Sequence, residues 1–167
     1  MLLKHSLVAA MAIALLAWAP AASAGVTVGF TAPEHYRDAG SSPGYGPDPL
    51  VLGAIEDHLQ ALGRCLPVGR RVEIEVLDLD RAGQLEWWGY GGYDLRVTRA
   101  TTPPRVSVHY RVRDAAGGVL TQGRERITDV DYQSRVGLIR TGDQPFGYEK
   151  AMLGEWFEAR FCPNIGP

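Results

Sequence analysis

The chain has 167 residues, with 17 Lys+Arg against 19 Asp+Glu, two cysteines and 46% hydrophobic residues. That is about one domain's worth of protein, which excludes a multidomain enzyme or a repeat array. A formal net charge of −2 shows no global basic excess, so composition argues against a dedicated nucleic-acid binder.

Lys4 and His5, the apolar run Leu7 to Trp18 and the small-x-small triplet Ala22-Ser23-Ala24 read as a signal peptide cleaved after Ala24. The run is too short to span a bilayer comfortably, and no later stretch is long and apolar enough to cross. The first cysteine, Cys65, lies far beyond the apolar run, so no lipid anchor is expected. The expectation is a single domain over residues 25–167, without a transmembrane segment, in a bacterial periplasm or outside the cell. Removing the leader, and Lys4 with it, leaves 143 residues carrying 16 Lys+Arg against 19 Asp+Glu. In an oxidising compartment, two cysteines without CxxC or Cys/His spacing predict one structural disulfide, Cys65–Cys162. The chain-entropy account gives such a bridge about 4 to 5 kcal/mol. The alternative is two small buried hydrophobes.

Val26, Val28 and Phe30 alternate with Thr27 and Gly29 and predict a first strand. A glycine- and proline-rich loop over 38–49 follows. Asp48-Pro49 then caps an amphipathic helix over 49–66, with Val51, Ile55, His58 or Leu59, Leu62 and Leu66 on its apolar face. Val72, Ile74 and Val76 mark a second strand, turning more continuously apolar at Leu77 and Leu79. Strand, helix and strand in that order suit a parallel right-handed crossover. Residues 81–93 read as a loop, and Leu95 and Val97 as a short third strand. Val106, Val108, Tyr110 and Val112 alternate into a hairpin that turns at Ala115-Ala116-Gly117-Gly118. Pairing Arg113 with Gly118 sets Tyr110 opposite Thr121, Val108 opposite Gly123 and Arg105 opposite Arg126. The second hairpin strand is the candidate sheet edge. A final helix opens near Asp143 and Pro145, with Tyr148, Met152 and Trp156 in one stripe and Leu153, Phe157 and Phe161 beside it. These elements predict an α+β two-layer sandwich. It starts with a β-α-β unit and has a mainly antiparallel sheet of about four or five strands with two helices packed on one face.

No nucleophile, P-loop, zinc or dinucleotide signature occurs, and no cofactor is expected. His58 reads as a histidine at the margin of the core. Asp78 and Asp80 at one strand end, with Asp129 and Asp131 at another, are weak candidates for a hard cation; turn capping is the plainer role. Trp87, Trp88, Tyr90 and Tyr93 stand among three glycines and suit stacking on a glycan or a protein partner, or folding inward as a lid. Arg105, Arg111, Arg113, Arg124 and Arg126 form a basic outer hairpin face that suits phosphates or acidic glycans, with Glu73 and Glu75 positioned to neutralise it. The leading expectation is a non-enzymatic domain that binds another envelope component through the aromatic loop or the sheet edge, with Trp87, Trp88, Tyr90, Tyr93, Arg111 and Arg124 as contacts. The alternatives are a hydrolase of cell-wall or glycan material using Asp78, Asp80, Asp129 and Asp131, and a structural subunit that adds its edge strand to a partner.

The segments FTAPEHYRDAG (Phe30 to Gly40), VEIEVLDLDRAGQLE (Val72 to Glu86), TDVDY (Thr128 to Tyr132) and GYEKAMLGEWFEARF (Gly147 to Phe161) resemble domain-of-unknown-function family 3016, a group of exported bacterial proteins. The resemblance covers nearly all of residues 25–167. It implies export and brings no activity, substrate or catalytic residue. The cysteine pair is not part of it.

Overall fold

The computed structural model describes residues 24–40, 46–86, 95–134 and 145–162. Residues 1–23 of the expected signal peptide and most of the segment over 130–142 therefore lie outside the described residues. The elements run β1 (Gly25–Phe30), α1 (Pro49–Leu62), β2 (Arg71–Asp80), β3 (Gln84–Glu86), β4 (Leu95–Val97), β5 (Arg105–Arg113), β6 (Val119–Thr128) and α2 (Gly147–Phe161). The main sheet has the order β1-β2-β5-β6, with β1 parallel to β2 and the other neighbours antiparallel. Both helices lie on one face, α1 against β1 and α2, and α2 against β6. This is the two-layer α+β architecture expected from the sequence, entered through β1-α1-β2.

Local chemistry sets the element ends. The Asp48 carboxylate accepts from the Leu50 N–H at 2.8 Å, and Pro49 occupies the first helical position. Val51, Ile55 and Leu59 then bury one face. α1 stops at Leu62, because the last turn tightens to a 3-10 turn over Gly63–Cys65, still burying Leu66. In α2, Met152, Leu153, Phe157 and Phe161 are buried, and Glu149 is buried with them. Tyr110, Trp156 and Phe161 stack edge to face, with centroids 5.2 to 6.2 Å apart. Cys65 and Cys162 form a disulfide with Cα atoms 5.4 Å apart, joining the C-terminal ends of the two helices across 97 residues.

Three sequence expectations are corrected. Residues 84–86 are not loop: Gln84, Leu85 and Glu86 pair with Val97, Arg96 and Leu95 in a separate two-stranded sheet, too short to show alternation. The continuous apolar end of β2 is a bulge. The register shifts between Val76 and Asp78, so Leu79 returns to the helix side while Asp78 and Asp80 join Glu73 and Glu75 on the outer face. The hairpin register is two residues off: Tyr110 pairs with Gly123, Val108 with Glu125 and Arg105 with Thr128. The shift arises beside the turn, where the register slips between Val112 and Arg113, and where the Asp114 carboxylate accepts from the N–H groups of Ala116 and Gly118. Gly123 fits its true partner. A Cβ there would come within 2.8 Å of the Tyr110 hydroxyl, so the glycine makes room for a ring already held by Trp156 and Phe161.

Candidate functional site

Among the described residues the helices cover one face only, so the other face of the sheet is left open, and its side chains stand in charged rows. Glu73 on β2 takes both Arg113, at 2.6 Å, and Arg111, at 3.5 Å, from β5. The Arg113 hydrogen bond, with both guanidinium charges, holds the Glu73 carboxyl below the usual carboxylate range. Glu75 accepts from the Thr31 hydroxyl, which lowers its pKa, and lies 3.6 Å from His109 Nδ1. Arg105 pairs with Asp80 at 3.3 Å, and Arg37 with Asp78 at 3.5 Å. The close ion pairs of Glu73 and Glu75 thus end at β5, while the Arg124 charge on β6 still helps to lower the Glu75 carboxyl. Arg124 and Arg126, opposite His109 and Ser107, form no salt bridge among the described residues.

β6 is the edge of the sheet, and no described strand pairs with its far side. Val119, Leu120, Thr121, Gln122, Arg124 and Arg126 are exposed. The strand is anchored from behind through Glu125, whose carboxylate accepts from Trp156 Nε1 at 2.8 Å and from Arg160 Nε at 2.9 Å. Burial alone would raise the Glu125 carboxyl, and the bonds from Arg160, Trp156 and Tyr110 outweigh it and hold it low.

A second polar cluster sits where β1 and β2 end. Asp38 accepts a two-pronged contact from Arg96, Nη1 to Oδ2 at 2.7 Å and Nη2 to Oδ1 at 2.9 Å, and a longer one from Arg81 at 3.3 Å. Arg96 also donates to the carbonyls of Ala82 and Gly83, and Glu149 of α2 accepts from the Ala82 N–H at 2.7 Å. Gly83 adopts a positive φ of 77° there, where a Cβ would meet the Val97 carbonyl at 2.7 Å. The nearby Tyr36 hydroxyl donates to the Val76 carbonyl at 2.6 Å, and burial, with Asp78, Glu75 and Glu34 close by, pushes its pKa up to about 12. Tyr36 is therefore a protonated anchor rather than an acid–base group.

The structure separates the sequence candidates. Asp78 and Asp80 face arginines on the outer sheet surface, while Asp129 accepts from the Asp131 N–H in a turn beyond β6, on the other side of β5. No group of three or more His, Cys, Asp and Glu side chains able to hold a metal ion gathers among the described residues. Arg111 is shared between Glu73 and Gln122, whereas Arg124 is exposed. Trp87, Trp88, Tyr90 and Tyr93 lie outside the described residues. Asp38, Arg81 and Arg96 were missed by sequence reasoning. They stand 43 and 58 positions apart in partnership, in segments without periodicity.

Fold and surfaces together define an α+β two-layer domain with one helix-covered sheet face and one open, ion-paired face. No described helix is long and apolar enough to cross a membrane. The chain belongs to the family described as "Protein of unknown function (DUF3016)", whose sequence model matches residues 24–159. Comparison with curated proteins and with solved structures returned no match. Cys162 falls outside the matched span, so half of the disulfide does too.

Proposed function

We propose that the protein is an exported, non-enzymatic domain that binds another cell-envelope component, and that it does so by adding an acidic extended segment to the edge of β6. One observation carries this reading: within the arginine face, Arg105, Arg111 and Arg113 pair with carboxylates on β2, while Arg124 and Arg126, on the edge strand, form no salt bridge among the described residues. An edge strand offers unpaired backbone groups to an incoming strand, and two guanidiniums without a close ion pair among the described residues, on one face, select acidic side chains at alternate positions. Binding is favoured over hydrolysis because Asp78 and Asp80 are engaged by Arg37 and Arg105, and Asp129 by a turn. The aromatic segment stays in the proposal as a second contact, since Glu86 and Leu95, which flank it, are paired neighbours.

A ten-residue peptide alternating Glu with Val, titrated against the full chain and followed by amide hydrogen exchange, tests this. Protection should appear along Val119–Thr128, weaken with added salt and disappear in Arg124→Glu/Arg126→Glu. Protection that survives the charge reversal sinks the edge reading. A parallel Trp87→Ala/Trp88→Ala variant with undiminished affinity removes the aromatic contact.

A further inference from the structure

The C-terminal ends of β1 and β2 open into a cavity of about 420 Å³, lined among others by Tyr36, Arg37, Asp38, Asp80, Arg81 and Arg105. Its size falls within the range of small-ligand sites, and its position at the carboxyl ends of parallel strands is where open sheets with crossover helices bind ligands. Its charge is incomplete. The single carboxylate of Asp38 serves two guanidiniums and is already engaged at both oxygens by Arg96. Arg81, with only 9% of its side chain exposed, keeps a 3.3 Å contact to Asp38, a bond to the Gly40 carbonyl and the face of the Phe146 ring 5.6 Å away. Its Nε has no hydrogen-bond partner among the described residues. Asp80, on the same cavity wall, is engaged by Arg105 at 3.3 Å, and Glu149 accepts from the Ala82 N–H. A nearly buried guanidinium with half a counter-charge, bordering an open cavity, is stabilised by an anion.

The rest of the lining sets the kind of anion. Arg105, paired with Asp80 through one Nη at 3.3 Å, shares the cavity wall with Arg81 and has further N–H donors, whereas the remaining oxygens of Asp80 and Glu34 are acceptors suited to hydroxyl groups rather than to a bare polyanion. Pro33, Pro103 and Leu85 add apolar surface. We propose that this cavity binds a small hydroxylated carboxylate, a sugar acid in size and chemistry, with its carboxylate at Arg81 and Arg105 and its hydroxyls at Asp80 and Glu34. The site is independent of the β6 edge.

Calorimetric titration of the full, disulfide-intact chain with D-glucuronate, with a galacturonate trimer, with D-glucose and with inorganic phosphate tests the assignment. Heat with glucuronate, absent with glucose and phosphate, supports a free sugar acid; heat with the trimer alone supports a glycan as the source. Arg105→Gln, at a partly exposed rim position, should weaken binding about tenfold, the loss of one charge-assisted contact. Arg81→Gln should abolish binding, with circular dichroism confirming the fold. Absence of heat with both acids, equal heat with glucose, tighter binding of phosphate, or an unchanged affinity in Arg105→Gln overturns the proposal.

Discussion

The two ends of the helix layer are closed by different chemistry. At the C-terminal end, Cys65 and Cys162 join the helices covalently. At the N-terminal end the closure is polar: the Asp48 N–H, at the cap of α1, donates to Ala39, Glu149 of α2 accepts from Ala82, and Arg81 and Arg96 converge on Asp38. A disulfide closes its end without charge and leaves nothing to satisfy. The polar end holds an arginine with half a counter-charge beside a cavity. Stability is concentrated at one end and unspent chemistry at the other, as expected when local rules are broken where a site lies.

The largest expected effect is at the covalent end. Cys65→Ser/Cys162→Ser should lose about 4 to 5 kcal/mol in urea unfolding, since a 97-residue loop is released in the unfolded chain. A loss under about 1 kcal/mol would mean that the staple is incidental and would break the comparison. At the polar end, Asp38→Ala leaves two guanidiniums without their carboxylate and should cost about 3 kcal/mol. Adding Arg81→Met should recover part of that loss, because the stranded charge leaves with its partner; no recovery would show that Asp38 acts only by shaping its loop. Glu149→Gln keeps an acceptor for the Ala82 N–H and should cost about 1 kcal/mol, the difference between a charged and a neutral bond. Glu73→Gln, on the open sheet face, sets the scale for an exposed pair and should change stability by less than about 1 kcal/mol.

The covalent end was legible in the sequence and the polar end was not. Val51, Ile55 and Leu59 repeat at helical spacing, as do Leu153, Phe157 and Phe161, and the expectation of an oxidising compartment paired the two cysteines. The hairpin was legible as a hairpin, because Val106 to Val112 alternate cleanly. Its register was not, since the far strand begins with four exposed residues that specify no face, leaving the Asp114 turn to decide. Asp38 sits in a segment that reads only as loop, and its partners come from the end of β2 and from a three-residue strand. Ion networks joined through tertiary structure leave no period along a chain.

Between the two ends, the middle of the helix layer supplies the smallest and most pH-specific test. His58 of α1 is half-buried, its Nε2 has no hydrogen-bond partner among the described residues, and a Cβ on Gly154 of α2 would approach it to 3.8 Å. Burial lowers its pKa below the ordinary value of 6.5, and the Lys150 charge lowers it further, against a backbone bond to Lys150 that raises it. The unfolded chain takes up a proton near pH 6.5 while the folded chain refuses it, so more protons bind the unfolded state in that window. Stability from neutral His58 is then complete above pH 6.5 and declines as the pH falls through 6.5 toward the folded value. Urea midpoints between pH 7.5 and 5 should therefore fall for the native chain and stay flatter for His58→Leu, which carries no titrating group. Because α1 and α2 meet at this position, the acid-induced loss should first appear as amide exchange around His58 and Gly154, with the disulfide end still protected. Equal slopes in the two proteins would show that protonation of His58 is not what weakens the fold in acid.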